Sequence, residues 1–184
     1  MEDMLRRFFR VLNKYFMVPM FRLGLGPLVG NPITGYIMVL KTVGSKTGKR
    51  RYAPVNYAIL DGEIYCLSGF GKLAHWVTNL VVQPQIEMIL PSGTLSGRAA
   101  TVTDADVWLR ATRQILKNGG FAGFLAGYNA FTISDEDLRS KGEEMVVIRI
   151  TPDGLRSGAA DPGGWLWLWL TVAVMALIIY FFVW

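Results

Sequence analysis

The chain has little of the chemistry that metal centres and nucleophilic enzymes need. Of its 184 residues, one is a cysteine and one is a histidine. A single cysteine excludes a disulfide within the chain and a cysteine-built zinc site. A single histidine argues against a histidine-built metal centre or a catalytic triad. The cysteine, Cys66, lies in the apolar run 64–67, so we interpret it as a core residue and not as a nucleophile.

Residues 165–184 contain no charged side chain, although the chain as a whole is basic, with a formal net charge of +5. About 20 residues at 1.5 Å each span the hydrocarbon core of a bilayer. Tryptophans at the start of this run, and Tyr180 and Trp184 toward its end, match the aromatic belts of membrane proteins. The run therefore predicts a C-terminal transmembrane helix, which follows a linker at 154–164.

The first 16 residues also point to a membrane. Their apolar residues recur at helical spacing, so an aromatic-rich face lies opposite a basic face, as in helices that lie in a membrane interface. A helix packed on the domain is the alternative. The cations of the folded part place it on the cytoplasmic side by the positive-inside tendency. We expect a single-pass protein of the cell membrane, anchored at its C-terminus, with lipid as a partner. No basic stripe with interleaved aromatic residues predicts a nucleic-acid site.

Between a first segment, 1–30, and the linker, the pattern predicts one α+β domain at 31–153. Strand-like runs occur at 36–42, 52–60, 63–68, 85–90, 94–102 and 145–150. Asp61-Gly62 is a hairpin signal between the second and third runs. Helices are expected at 73–82 and from a cap at Thr103 to Lys117, and Pro19 is expected to break the N-terminal helix. This order favours a small antiparallel barrel of six strands over a doubly wound sheet.

A basic segment between the first two strands carries the strongest signal for a site. Residues 41–54 read KTVGSKTGKRRYAP and contain five cations and two glycines. Glycines let the backbone turn tightly and expose successive N–H groups to an anion, and Lys and Arg bind phosphate or carboxylate. The segment indicates a loop that binds an anionic tail, with a solvated hairpin tip as the alternative. It is not a Walker A loop, because Val43 stands where the first glycine belongs and Arg50 follows Lys49.

Two motifs resemble the deazaflavin (F420)-dependent nitroreductase and quinone reductase family. Residues 44–55, GSKTGKRRYAPV, are similar to that family's G-R-K-[ST]-G-x-x-R-x-x-P-L. Residues 76–86, WVTNLVVQPQI, are similar to its W-x-x-N-L-x-x-N-P-x-V. The order and spacing of the two motifs fit over 31–152. Ser45 departs from the usual arginine and removes one phosphate-reaching cation, and the turn at 68–72 is shorter than the family's glycine-containing loop.

The resemblance implies a split β-barrel that binds reduced F420, with FMN as the alternative cofactor, and passes hydride to a quinone or a nitroaromatic compound. The residues expected to hold the cofactor's tail are Lys46, Thr47, Gly48, Lys49 and Arg51. Those expected along its ring system are Pro54, Ser68, Gly69 and Trp76. An apolar acceptor pocket is expected at Phe121, Phe124 and Tyr128, with Tyr128 as the proton donor and core packing as the alternative for each. The alternative function is a non-catalytic barrel subunit or scaffold of a membrane complex.

Overall fold

Six strands form a closed barrel in the computed structural model, which describes residues 2–69, 71, 74–120, 129–155 and 165–183. The order around the wall is β1-β2-β3-β6-β5-β4, and all neighbouring strands are antiparallel. The strands are β1 (Ile37–Val43), β2 (Arg50–Leu60), β3 (Glu63–Ser68), β4 (Gln85–Leu90), β5 (Gly93–Thr101) and β6 (Val146–Leu155). The α+β barrel of six antiparallel strands predicted from the sequence is therefore confirmed.

Seven helices are described, of which the second and fifth pack on the outer wall of the barrel and the fourth packs on its interior cluster. They are α1 (Glu2–Leu12), α2 (Val18–Arg22), α3 (Gly26–Val29), α4 (His75–Val82), α5 (Ala105–Lys117), α6 (Asp135–Lys141) and α7 (Trp165–Val183). A π-helical segment at Asn13–Met17 joins α1 to α2. Pro19 does not break this helix, contrary to the prediction, because the backbone stays helical on both sides of it. The π-helical segment directly before α2 changes the hydrogen-bond pattern there, with the N–H of Val18 bonded to the carbonyl oxygen of Asn13.

The start of α5 is also one residue later than predicted. The N-cap is Asp104 and not Thr103, because the Asp104 carboxylate accepts hydrogen bonds from the N–H groups of Asp106, at 2.9 Å, and Val107, at 2.8 Å. At α6 the Ser134 hydroxyl accepts a hydrogen bond from the N–H of Asp137, at 3.0 Å. Both side chains satisfy N–H groups that the first turn of a helix leaves without partners.

Three apolar clusters hold these elements together. The interior of the barrel is filled by side chains from every strand and from α4, including Met38, Leu40 and Met88. On the outer face of β1 and β4, Met17 and Phe21 pack against Val39 and Ile89. On the outer face of β2, β3 and β6, α5 packs through Ala111 and Ile115. The period of two along each strand therefore separates an interior face from outer faces that the helices cover.

One end of the barrel gathers the segments that the sequence marks as functional. At this end, named the loop end here, β1, β3 and β5 finish and β2, β4 and β6 begin. The connection between β1 and β2 is the basic loop, residues 44–49. The connection from β3 to β4 consists of a turn that begins at Ser68 and of α4. Antiparallel closure therefore brings the two motifs of the sequence to the same end.

The apolar C-terminal run forms the helix α7. Its described side chains from Trp169 to Phe181 are exposed. Among the residues that the structure describes, no helix is both long enough and apolar enough to cross a membrane. The transmembrane helix predicted at 165–184 is therefore not supported.

Candidate functional site

The basic loop is folded tightly on itself. The N–H of Gly44 donates to the carbonyl oxygen of Lys49 at 2.9 Å, and the N–H groups of Thr47 and Gly48 donate to the carbonyl oxygen of Gly44 at 3.1 and 2.8 Å. Gly48 has φ +64°, a conformation that glycine adopts without strain. Most N–H groups of the loop are thus used inside it. The sequence-based idea that successive N–H groups ring an anion is not met here, so an anion at this loop would have to be bound by side chains.

Four cations of the loop and the start of β2 are exposed, namely Lys46, Lys49, Arg50 and Arg51. Within the described part of the chain, none of them makes an ion pair with an acidic side chain. Side chains alternate along a strand, so Arg51 shares the face of Ala53 and Val55, which belong to the interior cluster. Arg50 shares the opposite face with Tyr52, which packs with the N-terminal helices. The two arginines therefore leave β2 on opposite faces.

A buried amide connects the basic loop to α4. The side-chain oxygen of Asn79 accepts a hydrogen bond from the N–H of Ser45 at 2.9 Å. Its side-chain nitrogen donates to the hydroxyl oxygen of Thr42 at 3.2 Å. Asn79 is 6 % exposed and Thr42 is 2 % exposed. Sequence reasoning assigned neither residue a role, although a polar residue within the apolar run of α4 was the available signal.

The turn after β3 is closed by Ser68, which is buried. Its hydroxyl donates a hydrogen bond to the carbonyl oxygen of Gly71 at 2.8 Å. Gly69 in the same turn is exposed, and a Cβ atom added there would meet no atom of the described residues within 4 Å. The Ser68 hydroxyl already donates its proton within the turn.

Trp76 and Pro54 lie in different surroundings. Trp76, at the start of α4, is half-buried and packs on the interior cluster with Ala53 and Val55. Pro54 pairs with Val39 in the ladder between β1 and β2, and Val39 belongs to the outer cluster under the N-terminal helices. Pro54 is therefore on the outer face of β2. The structure brings Trp76 together with the basic loop and the Ser68 turn, but it does not bring Pro54 there.

The strands β2 and β3 pair over only part of the length of β2. Their ladder runs from Tyr57 to Leu60 of β2, whereas residues 50–56 pair with β1 alone. The edge of 50–56 that faces β3 is therefore without a strand partner in the described sheet. This edge, the Ser68 turn and the start of α4 border one region at the loop end, and Arg51 is at its rim.

The predicted acceptor residues Phe121, Phe124 and Tyr128 lie outside the described residues. The segments on either side of 121–128 are tied to α5 and to the barrel. On one side the Asn118 side chain donates to the carbonyl oxygen of Tyr57 at 3.1 Å. On the other, Arg113 donates to the carbonyl oxygen of Ile133 at 2.9 Å. The proposed acceptor pocket stays a prediction.

Among the residues that the structure describes, two groups have a raised pKa. Burial raises the pKa of the Cys66 thiol far above its ordinary value, and this thiol is fully buried in the barrel interior, as expected for a core residue. Burial, and then the neighbouring Tyr36, raise the pKa of Tyr57. The two tyrosine rings lie edge to face with centroids 6.4 Å apart. Both groups are therefore neutral at physiological pH.

The sequence model of a family described as F420H(2)-dependent quinone reductase matches residues 17–119, more than half of the chain. The chain belongs to this family. The match covers the basic loop, the Ser68 turn and α4, so the resemblance seen in the two motifs is confirmed, and the cofactor of the family is the predicted F420. A quinone reductase of this kind is an oxidoreductase.

The residues of the loop end fit the charge of such a cofactor. F420 has a phosphate and carboxylates in its tail, and Lys46, Lys49 and Arg51 supply cationic donors without acidic partners in the described chain. The fit rests on side-chain donors, because the loop's own N–H groups are mostly paired.

Comparison with solved structures finds distant similarity. A protein described as a putative 5-nitroimidazole antibiotic resistance protein from Bacteroides thetaiotaomicron is 13% identical, with a TM-score of 0.49 over 65% of this chain and 74% of that one. A protein described as a putative pyridoxamine 5'-phosphate oxidase from Listeria innocua is 16% identical, with a TM-score of 0.47 over 65% and 86%. Comparison with curated proteins finds no significant match.

Proposed function

We propose that this protein is an F420H2-dependent reductase of a quinone held in a membrane. The observation that carries the proposal is the assembly, at one end of the barrel, of the two family motifs. They place the basic loop beside α4 through the bond from the N–H of Ser45 to Asn79. When bound, F420 supplies a hydride for a two-electron reduction, and the protein contributes binding, orientation and exclusion of water.

The tail of the cofactor is held by side chains. Lys46, Lys49 and Arg51 neutralise its phosphate and carboxylates, and the guanidinium of Arg51 is suited to a bidentate contact. Thr47 and Gly48 shape the loop, since Gly48 has φ +64° and the Thr47 hydroxyl lies 3.4 Å from the N–H of Lys49. Lys49, which occupies a variable position of the family motif, also offsets the loss of the arginine that Ser45 replaces.

The groups that would hold the ring system are the edge 50–56 of β2, Gly69 and the indole of Trp76. These groups offer an apolar wall and little competing water, since Ala53, Val55 and Trp76 share the interior cluster. Pro54 contributes through the backbone shape of β2, because its side chain belongs to the outer face.

A membrane quinone is the proposed acceptor because of the N-terminal helix. Phe8, Val11, Tyr15 and Phe16 are 46–67 % exposed on α1 and the π-helical segment, and Arg7, Arg10 and Lys14 are exposed nearby. Exposed aromatic side chains beside cations suit an anionic bilayer surface. Leu12 of α1 packs in the same cluster as Tyr52, which is next to Arg51. On this proposal the helix binds lipid and keeps the barrel against the bilayer, so that an apolar acceptor reaches the site without crossing water.

We propose that the barrel lies on the cytoplasmic face of the cell membrane, as the positive-inside tendency of its cations favours. A single-pass anchor at 165–184 stays a prediction from composition alone. A soluble nitroaromatic acceptor gains nothing from membrane association, so we favour the quinone among the acceptors of the family. A scaffold role in a membrane complex is the competing function.

The test is turnover in a defined system. Full-length protein is reconstituted with vesicles that contain an anionic lipid and menaquinone, reduced F420 is added, and its oxidation is followed by absorbance. We expect quinone-dependent oxidation with F420 but not with reduced FMN or NADPH. Binding of F420 without turnover of either menaquinone or a water-soluble nitro compound would favour the scaffold role. Absence of F420 binding would reject the assignment of the loop end as an F420 site.

A further inference from the structure

We propose that Asn79 is a positioning residue that sets where the cations of the basic loop lie relative to Trp76. The inference rests on the proposed function of the loop end, and it assigns to Asn79 an indirect role through the loop and not a contact with the reacting atoms. Three features of the described residues carry it: the closure of the loop, the hydrogen bond from the loop to Asn79 on α4, and the burial and orientation of the Asn79 side chain.

The first feature is that the backbone of the loop is closed on itself. Its hydrogen bonds from Gly44 to Lys49, and from Thr47 and Gly48 back to Gly44, join its two ends and its middle. The backbone positions that carry its cations are therefore held relative to one another. What the loop does not determine by itself is its position against the rest of the barrel end, because only the two strands β1 and β2 lead into it.

The second feature is that Asn79 supplies that missing constraint. Among the described residues, the bond from the N–H of Ser45 to Asn79 is the one hydrogen bond that joins residues 44–49 to an element other than β1 and β2. Asn79 follows Trp76 on α4 by three residues, so both lie on neighbouring turns of one helix. A shift of the loop against Asn79 is therefore a shift against Trp76.

The third feature is that the amide of Asn79 is oriented by a second bond. Its nitrogen donates to the Thr42 hydroxyl, and both side chains are buried, at 6 and 2 % exposure. With the nitrogen held by Thr42, the amide oxygen points to the N–H of Ser45. Because the site is buried, water does not replace the bond between Asn79 and Ser45 without a cost in free energy. The bond therefore holds the loop against α4.

The side chain at position 79 has to accept a hydrogen bond from the N–H of Ser45. Alanine removes both bonds, whereas Thr42→Val removes only the group that orients the amide and keeps nearly the same volume. Thr42→Ser keeps the hydroxyl and serves as the conservative variant. Comparison of Asn79→Ala, Thr42→Val and Thr42→Ser therefore distinguishes an effect of the lost hydrogen bond to the loop from an effect on the packing of α4.

The experiment has two measurements on full-length protein. Amide hydrogen exchange without ligand follows peptides from 44–49 and, as a reference, from β3 and β6. Titration with F420 and steady-state kinetics give the dissociation constant, KM and kcat. For Asn79→Ala we expect exchange within the loop to accelerate by about tenfold or more, with the reference peptides unchanged. The dissociation constant and the KM for F420 should rise by about tenfold, as for the loss of a buried hydrogen bond, with kcat nearly constant.

Thr42→Val should give the same pattern with a smaller change, and Thr42→Ser should behave as the wild type. Unchanged loop exchange in Asn79→Ala, or acceleration that extends equally to β3 and β6, would overturn the proposal in favour of a merely structural asparagine. Faster loop exchange with an unchanged F420 dissociation constant would overturn it too. If the wild type itself did not bind F420, the cofactor assignment would fail, and the exchange measurement alone would still decide whether Asn79 attaches the loop.

Discussion

Gly71 lies directly against the carbonyl oxygen of Glu144, with no room for a Cβ atom between them. Gly71 also has φ +54°, and its own carbonyl oxygen accepts the hydrogen bond from Ser68. The segment before β6 thus presses on the turn after β3. This turn borders the candidate site, and its shape depends on a residue about 70 positions away in the sequence. Only glycine allows both the close contact with Glu144 and the positive φ at position 71.

Gly71→Ala should therefore lower the free energy of unfolding by about 1–3 kcal/mol, from the strained φ and the contact with the Glu144 carbonyl. The matched control is Gly69→Ala in the same turn, which meets no atom within 4 Å and should keep the stability of the wild type. Chemical denaturation of both variants is the measurement. Equal free energies of unfolding for the two variants would mean that the turn adjusts to a Cβ atom at position 71 without loss of stability.

Arg51→Ala should weaken F420 binding by about 1.5–3 kcal/mol, because the proposed function assigns to this side chain charge-assisted contacts with the cofactor's tail. The control is Arg50→Ala, which removes the same charge from the opposite face of β2 and should cost clearly less. Fluorescence titration at low and moderate salt gives both dissociation constants. Equal losses would show a general electrostatic effect without a specific contact at Arg51.

Phe8→Asp combined with Tyr15→Asp should release the protein from anionic vesicles. The two side chains are 58 and 67 % exposed, and burying one aromatic side chain contributes about 1.5–3 kcal/mol. Co-sedimentation with vesicles should fall by about tenfold or more. The control is Ile59→Asp, since Ile59 is 58 % exposed on β2. If this control lost as much binding, the effect would come from added negative charge alone.

The raised pKa of Tyr57 predicts a pH dependence of stability. Because the folded state holds the phenol neutral, Tyr57 contributes its full stability below the pKa of an unfolded tyrosine, about 10. This contribution is lost as the pH rises through the higher folded pKa. Stability should fall above about pH 10 in the wild type, and Tyr57→Phe should flatten part of that fall. Denaturation at pH 9 and pH 11 compares the two proteins, and parallel declines would contradict the assignment.

The cap of α5 offers a local test. Asp104→Ala should cost about 1 kcal/mol of stability, since it removes the acceptor for two N–H groups of the first turn. Thr103→Ala should be nearly neutral, because the Thr103 side chain does not cap the helix. Thermal unfolding distinguishes the two, and a larger loss at Thr103 would restore the cap predicted from the sequence.

The sequence by itself determined the local features of this protein. Apolar and β-branched runs bounded by turn residues located the strands, Asp61-Gly62 located a hairpin that forms with φ +53° and +80°, and the basic segment was found between β1 and β2. These signals are readable because each depends on residues close together in the chain. The cap of α5 and the continuation of the helix past Pro19 were misread, since propensity alone does not choose between neighbouring caps or detect a π-helical segment.

Only the tertiary structure decided how distant segments meet. Closure of β1 on β4 and of β5 on β6 brought the basic loop, the Ser68 turn and α4 to one end. It turned Asn79 toward Ser45 and Thr42, put Pro54 on the outer face and set Gly71 against Glu144. Such contacts join residues tens of positions apart, and nothing in the local periodicity of either partner specifies the other. Their geometry follows from the register and closure of the whole barrel.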